Sequence, residues 1–243
     1  MKNYENIFKN HDGFISHKWI HYFYIYDLLF AEYRKRSKSL TVMEIGVDRG
    51  GSLEIWKKYL PKGSKIHGVD INPKCRDIKF GGNIYFHLGN ASDYSFMEKE
   101  FSNTEFDFIL DDGSHVCSEV IETFRIMFPK IKPGGLYVVE DLHTSYWADY
   151  GGGCRKEGTS IEYFKKFVEA LNSDYIKDFN EENYSQDIES ITFYDSVCAV
   201  KKFSSPKNHP FKSVITGNEN IGGITCFKNE QELIQRVKNM FGG

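Results

Sequence analysis

Apolar positions recur along the chain in two periods, and these alternate between residues 40 and 140. Short apolar runs with the character of buried strands are separated by stretches in which apolar residues return every three or four positions, as on one face of a helix. The predicted strands cover Leu40–Gly46, Lys65–Ile71, Asn83–Leu88, Phe106–Asp111 and Leu136–Glu140. The predicted helices between them cover Gly51–Tyr59, Ser92–Phe101 and His115–Phe128. Such alternation predicts an α/β fold with a doubly wound, mostly parallel sheet.

An aromatic stripe precedes these units. Apolar residues at helical spacing over residues 18–36 predict an amphipathic helix, for which Ser16 is the N-cap candidate. The stripe consists of Trp19, Tyr22, Phe23, Tyr26, Leu29, Phe30 and Tyr33. We interpret it as core or as a subunit interface, whereas His21 and Tyr24 fall off the stripe and are candidates to face a site.

The pattern loosens after residue 141. We predict a further helix, an edge hairpin and a last helix, at Thr159–Asn172, at Ser190–Asp195 with Val197–Phe203, and at Asn229–Phe241. No repeat or linker divides the chain, so we predict one domain. Its parts are an N-terminal helical extension (1–38), a cofactor-binding core (39–203) and a C-terminal tail and helix (204–243).

Composition narrows the functional classes. The 243 residues are enough for one α/β domain with additions, and a net charge of −3 offers no strong field for nucleic acid or an anionic membrane. Five cysteines without a C-x-x-C pair are typical of free thiols in a reducing cytosol. Neither an apolar signal region nor an apolar run of about 18 residues is present. We therefore expect a cytoplasmic protein that binds neither nucleic acid nor membrane.

A glycine loop follows the first predicted strand. Its sequence EIGVDRGGS, from Glu44 to Ser52, brings Gly46 and Gly50 to a helix N-terminus, where free N–H groups can meet a ligand. Asp48 stands where a dinucleotide fingerprint has its second glycine, so the loop suits the cationic S-adenosylmethionine better than the pyrophosphate of NAD. The loop alone does not separate a cofactor site from a structural turn.

Further residues strengthen the cofactor interpretation. Asp70 ends the second predicted strand about 20 residues after the loop, where an acidic residue commonly holds ribose hydroxyls. Asn90 and Ala91 follow the third strand, and Asp111 ends the fourth. The predicted cofactor-binding residues are therefore Glu44, Gly46, Gly50, Ser52, Asp70, Asn90, Ala91 and Asp111.

Two acidic clusters end the fourth and fifth predicted strands. The first is DDGSH from Asp111 to His115, and the second is EDLH from Glu140 to His143. An Asp or Ser of the first cluster suits a helix cap, but two adjacent carboxylates and a histidine are costly to bury without a function. Because ligands bind outside the carboxyl ends of parallel strands, we expect both clusters to face one crevice.

The clusters predict a metal site and a base. Asp112, Glu140 and Asp141 supply three hard oxygen ligands, which suit Mg²⁺, Mn²⁺ or Ca²⁺ and suit structural Zn²⁺ poorly. His115 is the candidate catalytic base, because a neutral imidazole near pH 7 accepts protons well.

The last residue of the second cluster and two aromatic residues that follow it are candidates for substrate binding. His143 has either a direct role or a supporting hydrogen bond. Tyr146 and Trp147 either stack on the apolar face of a sugar or pack in the fold. The residues alone leave these alternatives open.

The motifs resemble those of the macrocin and mycinamicin sugar O-methyltransferases, grouped with the cephalosporin hydroxylase-like proteins. The matching blocks run from about residue 18 to residue 203: Lys18…His21-Tyr22…Tyr26, MEIGVDRGGSLEIW, HGVDINP, DDGSH, FPKIKPGGLYVVEDLHTSYW and ITFYDSVCAVKK. The resemblance implies a Rossmann-like class I S-adenosylmethionine-dependent methyltransferase fold with a seven-stranded sheet. It also implies a divalent metal, usually Mg²⁺, on Asp112, Glu140 and Asp141, with His115 as general base.

We therefore predict a metal-dependent S-adenosylmethionine O-methyltransferase that acts on a sugar hydroxyl and uses Mg²⁺ or Mn²⁺. The chain is shorter than the macrolide enzymes, so we favour a nucleotide sugar or a glycan precursor of bacterial capsule polysaccharide as acceptor. A macrolide-type glycoside acceptor and a non-catalytic cofactor-binding role stay open as alternatives. An NAD-dependent oxidoreductase and a catechol methyltransferase fit the residues less well. Because the family tends to oligomerise, we also expect a homo-oligomer.

Overall fold

The computed structural model describes residues 3–176, 184, 186–205 and a few isolated positions beyond them. The predicted helix Asn229–Phe241 lies outside these segments. The strands are β1 (Thr41–Ile45), β2 (Lys65–Asp70), β3 (Ile84–Leu88), β4 (Phe106–Asp111), β5 (Ile131–Val139), β6 (Ile188–Tyr194) and β7 (Val197–Lys202). The helices are α1 (Tyr4–Lys9), α2 (Tyr22–Lys35), α3 (Gly51–Tyr59), α4 (Tyr94–Phe101), α5 (Cys117–Met127), α6 (Ser160–Lys165) and α7 (Phe167–Leu171). None of the described helices is both long and apolar enough to cross a membrane.

The strands form one sheet in the order β3-β2-β1-β4-β5-β7-β6. β1 to β5 are parallel, whereas β7 runs antiparallel to β5 and β6 antiparallel to β7. The chain therefore starts at β1, moves outward to β3 and returns to β4 on the other side of β1. This confirms the predicted doubly wound sheet and the edge hairpin. The crevice between β1 and β4 is the switch point at which open α/β sheets bind ligands.

The strand register brings the acidic clusters out of the sheet side by side. Ile45 of β1 lies beside Asp111 of β4, and Asp111 lies beside Val139 of β5. The ladder continues past the strand ends, because the Asp112 N–H donates to the Ile45 carbonyl and the Glu140 N–H donates to the Asp111 carbonyl, each at 2.9 Å. The residues that follow β4 and β5 therefore meet at one point above the switch crevice.

Side chains along each strand point alternately to the two faces of the sheet and pack into two hydrophobic cores, one on each face. On the first face, α1, α2 and α3 pack an aromatic cluster against β4, where the rings of Phe30, Trp56 and Phe108 lie about 5 Å apart. On the second face, α5 and the two helices that follow it pack around Phe124 and Phe164. Each fully buried phenylalanine contributes about 1.5–3 kcal/mol of transfer free energy. The aromatic stripe of α2 is thus core from Tyr22 onward.

The start of α2 differs from the prediction. The helix begins at Tyr22 rather than at residue 18, and its N-cap position is held by His21 rather than Ser16, without a side-chain cap. The Tyr22 N–H still donates to the Trp19 carbonyl, which makes residues 19–22 a turn and leaves the Trp19 side chain half exposed. His21 and Tyr24 are exposed, and neither joins the site described below.

Two other boundaries differ. β5 begins at Ile131 rather than Leu136, because the strand pairs with β4 before and after an irregularity between Phe106 and Phe108. The predicted helix Thr159–Asn172 is two short helices, α6 and α7, which meet at Lys166.

Candidate active site

A cavity of about 150 Å³ opens at the carboxyl ends of β1, β2 and β4. Five of the predicted cofactor residues line it, namely Gly46, Asp70, Asn90, Ala91 and Asp111. Gly113 and Ser114, which lie between the two site residues Asp112 and His115, line the same cavity. The cavity therefore borders the acidic cluster at the switch crevice.

Gly46 allows the glycine loop to lie close to the end of β4. Its φ is +90°, a backbone conformation that side chains with a Cβ rarely adopt. A Cβ at this position would lie 2.0 Å from the Asp112 carbonyl oxygen. A larger residue would separate the loop from the acidic cluster.

Asp70 shapes the glycine loop as well as lining the cavity. One of its carboxylate oxygens accepts hydrogen bonds from the Val47 and Asp48 N–H groups at 2.8 and 3.0 Å. The other oxygen accepts from the Asn72 N–H at 2.7 Å. The carboxylate is thus fixed by the backbone and still faces the cavity, where the sequence predicts ribose hydroxyls.

Three of the predicted cofactor residues do not line this cavity. Glu44 is buried, and the Ser52 hydroxyl donates to its carboxylate at 2.6 Å. Burial raises the pKa of Glu44 to about 7, although Lys18 and Ser52 act in the opposite direction. Gly50 is the N-cap of α3 with a φ of +86°. These residues build the loop and the start of α3.

Asp111 is a buried acid on the cavity wall. The Tyr137 hydroxyl donates to Asp111 Oδ2 at 2.8 Å. Burial nevertheless raises the pKa of Asp111 to about 7, against the hydrogen bonds from Tyr137 and the Gly113 backbone. Asp111 therefore differs from Asp112, whose side chain is 21% exposed and is paired with Lys18.

Asp112, His115 and Asp141 form a cluster whose donor atoms all lie within 4.8 Å of one another. His115 Nε2 lies 3.9 Å from Asp112 Oδ1 and 3.9 Å from Asp141 Oδ2. His115 and Asp141 both have positive φ values, +59° and +51°. Non-glycine residues in this region are uncommon and often mark functional sites. From the sequence we expected these three side chains to lie close together, and the structure brings them together.

Glu140, the third predicted metal ligand, lies outside this cluster and is bonded to a lysine instead. The Lys18 ammonium donates to Glu140 Oε2 at 2.8 Å and to Asp112 Oδ2, and it lies 3.8 Å from Glu44 Oε1. The Lys18 side chain is only 4% exposed. Burial alone lowers the pKa of Lys18, but the charges of the three carboxylates outweigh that effect and raise it well above its usual range. Lys18 is therefore a buried cation at the centre of the acidic residues.

The remaining oxygens fit a divalent cation. Asp112 Oδ1 and Asp141 Oδ2 each lie 3.9 Å from His115 Nε2, whereas Lys18 is bonded to the other Asp112 oxygen, Oδ2. Glu140 Oε1 is buried and has no hydrogen-bond partner in the described part of the chain. A buried carboxylate oxygen without a partner is costly, and a bound cation would satisfy it. Hard oxygen donors of this kind suit Mg²⁺.

A hydrogen-bonded chain leads away from Asp141. The Tyr22 hydroxyl donates to Asp141 Oδ1 at 2.5 Å and lies 3.0 Å from Ser196 Oγ. Ser196 Oγ is in turn hydrogen-bonded to His143 Nδ1 at 2.5 Å. His143 is therefore linked to Asp141 through two hydroxyls, which is the geometry that a supporting role requires.

The predicted aromatic residues lie at the rim of the site. Tyr146 is 47% exposed and Trp147 is 53% exposed. The Trp147 ring meets the edge of the His143 ring at 4.7 Å, and Trp19 meets the same ring at 6.4 Å. These rings are available at the surface rather than packed in the core.

Sequence reasoning assigned no role at the site to Lys18, Tyr22 or Ser196. Tyr22 belongs to the aromatic stripe, which gives no sign that its hydroxyl reaches a carboxylate. Ser196 sits in the two-residue turn between β6 and β7, with a φ of +65°. The sequence contains one indication that these residues matter, the block Lys18…His21-Tyr22…Tyr26, which carries part of the family resemblance. The helix pattern of that block does not explain why a lysine stands at position 18.

The sheet order, the cavity at its switch point and the acidic cluster beside that cavity define the Rossmann-like fold of class I methyltransferases. Residues 43–142 match the family described as "Methyltransferase domain".

Several known proteins are similar to this chain. It is 38% identical over 168 residues to 8-demethyl-8-alpha-L-rhamnosyl tetracenomycin-C 2'-O-methyltransferase of Streptomyces olivaceus, over 65% of this chain and 43% of the relative. It is 36% identical over 157 residues to Mycinamicin VI 2''-O-methyltransferase of Micromonospora griseorubida, over 60% and 38% of the two chains. A solved structure of MycE methyltransferase, from the mycinamycin biosynthetic pathway, in complex with Mg, SAH and Mycinamycin VI matches with a TM-score of 0.66 and 32% identity, over 77% of this chain and 51% of that one.

These similarities confirm the predicted resemblance to the macrocin and mycinamicin sugar O-methyltransferases and the predicted fold. The chain spans about two fifths of the length of the curated relatives it matches.

Proposed function

We propose that this protein is a metal-assisted O-methyltransferase that moves the methyl group of S-adenosylmethionine to a sugar hydroxyl of a glycosylated small molecule. One observation carries the proposal. A histidine and two carboxylates, His115 with Asp112 and Asp141, converge beside the cavity at the switch crevice, with separations of 3.9 Å. The names of the relatives, which are O-methyltransferases of sugar-bearing compounds, support it.

The cavity at the ends of β1, β2 and β4 is the proposed S-adenosylmethionine site. Asp70 would face the ribose, and Gly46 would let the backbone approach the ligand. The bound SAH of the MycE structure supports this cofactor, because SAH is what S-adenosylmethionine becomes when its methyl group leaves. Glu44, Gly50 and Ser52 act from behind the cavity wall by holding the loop.

Asp112, Asp141 and Glu140 are the proposed ligands of Mg²⁺. The unpartnered Glu140 oxygen and the Mg of the MycE structure support this set. A divalent cation held there would lower the pKa of an acceptor hydroxyl. Because Mg²⁺ prefers oxygen ligands, His115 Nε2 is better suited to accept the proton of that hydroxyl than to bind the cation.

The proposed acceptor is a sugar attached to a natural-product aglycone. The relatives named above act on a rhamnosyl tetracenomycin and on Mycinamicin VI, and the MycE structure contains Mycinamycin VI. These names favour the alternative that the sequence left open over the nucleotide sugar or capsule precursor that it favoured. A capsule role has no support among the relatives.

The direct test is methyl transfer from labelled S-adenosylmethionine in the presence of Mg²⁺ to a panel of rhamnosides and nucleotide sugars. We expect label on a sugar hydroxyl, located by mass spectrometry and NMR. Label on the aglycone, or binding of S-adenosylmethionine without transfer to any sugar, would count against the proposed reaction.

A further inference from the structure

A second and larger cavity begins at Leu142 and His143, directly after Asp141 of the cluster. Its volume is about 370 Å³, and it shares no lining residue with the cofactor cavity. Its walls come from the segment after β5, from α6 and from the β6–β7 hairpin, and they include Leu142, His143, Tyr146, Ile161, Phe193 and Ser196. Pockets of about 300–1,000 Å³ typically hold small organic ligands.

Hydrogen bonds connect this cavity directly to the acidic cluster. His143 and Ser196 belong to its wall, and Ser196 reaches Asp141 through the single hydroxyl of Tyr22. Two hydrogen bonds, of 2.5 and 3.0 Å, therefore link the Asp141 carboxylate to the wall of this cavity.

The charges on the wall argue against a phosphate. Lys165 is the one ammonium among the described lining residues, and it is already bonded to Glu162 at 2.6 Å. Asp195 adds a carboxylate to the same wall. A diphosphate would need free cationic or N–H donors here, whereas an uncharged group meets mostly aromatic and aliphatic surface.

We infer that this cavity binds the uncharged, apolar aglycone of the acceptor, while its sugar lies at Asp112, His115 and Asp141. The inference rests on the proposed function and extends it, because it names the part of the acceptor that this chain selects. Phe193 is the residue best placed to test it. It lies on the edge strand β6, 39% exposed, so its removal leaves the core intact.

The test compares three acceptors that share one sugar: methyl α-L-rhamnoside, 4-methylumbelliferyl α-L-rhamnoside and dTDP-L-rhamnose. We expect the wild-type protein to show a lower KM for the umbelliferyl glycoside than for the other two. Phe193→Ala should raise that KM about tenfold. The same variant should leave kcat/KM for methyl rhamnoside unchanged. Tyr146→Ala, on another part of the wall, should act in the same direction.

Tyr85→Ala is the matched control, because Tyr85 is a similarly exposed aromatic residue on the opposite edge strand, β3. We expect it to alter none of these constants. Equal KM values for the umbelliferyl and methyl glycosides, a preference for dTDP-L-rhamnose, or an equal loss for both glycosides in Phe193→Ala would overturn the inference.

Calorimetric binding of the umbelliferyl glycoside separates this inference from the proposed reaction. If no acceptor is methylated, the proposed function fails. The cavity assignment then still requires that the wild type binds this glycoside and that Phe193→Ala weakens binding about tenfold. Absent binding, or equal binding by both proteins, would contradict it.

Discussion

Lys18 is the residue on which the electrostatics of the site depend. It is a buried ammonium among Glu44, Asp112 and Glu140, which lie at the carboxyl ends of β1, β4 and β5. Removal of one partner of a buried ion pair leaves charge without compensation, which typically costs about 3–5 kcal/mol. Removal of a lysine from the surface would lower the free energy of unfolding far less.

We expect Lys18→Met to lower the free energy of unfolding by about 3–5 kcal/mol in EDTA, because three carboxylates lose their cation. Added Mg²⁺ should restore a larger part of this loss in the variant than it adds to the wild type. Chemical denaturation with and without Mg²⁺ measures both effects.

Lys58→Met is the control, because Lys58 pairs with Asp12 at the surface, where such pairs contribute about 1 kcal/mol or less. An equal, small effect of the two substitutions would show that Lys18 has no special electrostatic role.

Asp111 gives a prediction about pH. Burial raises its pKa to about 7, whereas a carboxyl in an unfolded chain titrates near about 4. Between these values the folded state binds more protons than the unfolded state, so the free energy of unfolding falls as pH rises. Asp111→Asn keeps the neutral form at every pH. From about pH 5 to about pH 8 we expect the wild type to lose roughly 2–3 kcal/mol relative to the variant.

Denaturation curves of both proteins across this pH range give the difference, in which the other titrating groups cancel. A difference that stays constant with pH would mean that Asp111 is ionised throughout and that its burial is compensated elsewhere.

Among the secondary-structure elements, hydrophobic periodicity predicted the ones that pack as regular units. The alternating strands and helices from β1 to β5 are found where the pattern places them, because the inner strands β1 and β4 are buried on both faces and the helices pack one face against the sheet. The predicted start of α2 was wrong, because Trp19 continues the apolar spacing but lies outside the helix and is half exposed. Spacing alone cannot tell a buried ring from an exposed one.

The β6–β7 hairpin is an element whose turn contacts the candidate active site. Ser196 holds a φ of +65° in that turn, although glycine would adopt it more easily. Its hydroxyl meets Tyr22 and His143, which explains why a strained serine stands there. Sequence periodicity predicted the hairpin but not this contact, because Ser196 and Tyr22 are brought together only by the sheet order.

We expect Ser196→Gly and Ser196→Ala to lower kcat alike, about tenfold or more, because both lose the hydroxyl that supports Asp141 through Tyr22. Their stabilities should differ, since alanine retains the strain of the positive φ and glycine relieves about 1 kcal/mol of it. Kinetics and thermal unfolding of the pair separate the two effects. Full activity in Ser196→Gly would exclude a role for the hydroxyl.

The whole molecule shows why the carboxylates of the site were predictable and its lysine was not. Parallel strands end at one edge of the sheet, so the acidic residues after β4 and β5 had to meet there. Lys18 lies in the segment before α2. This segment reaches the switch crevice only because the aromatic stripe of α2 packs on the first face of the sheet. That path depends on tertiary packing, which no local pattern contains.

The homo-oligomer that we expect from the sequence stays a prediction. Ile20, Tyr24 and Leu28 lie at helical spacing and are 50–80% exposed, so they form an apolar strip on the outer side of the α2 region. Light scattering after size-exclusion chromatography gives the mass in solution. A monomer at micromolar concentration would contradict the expectation.

The proposed metal-assisted methyl transfer is tested by the rate of transfer to an umbelliferyl rhamnoside by the wild type and His115→Ala, each with Mg²⁺ and with EDTA. We expect transfer by the wild type only with Mg²⁺, and a kcat about 10²–10⁴-fold lower in His115→Ala, with the affinity for SAH unchanged. A wild-type rate that EDTA leaves intact, or a His115→Ala variant as fast as the wild type, would contradict it.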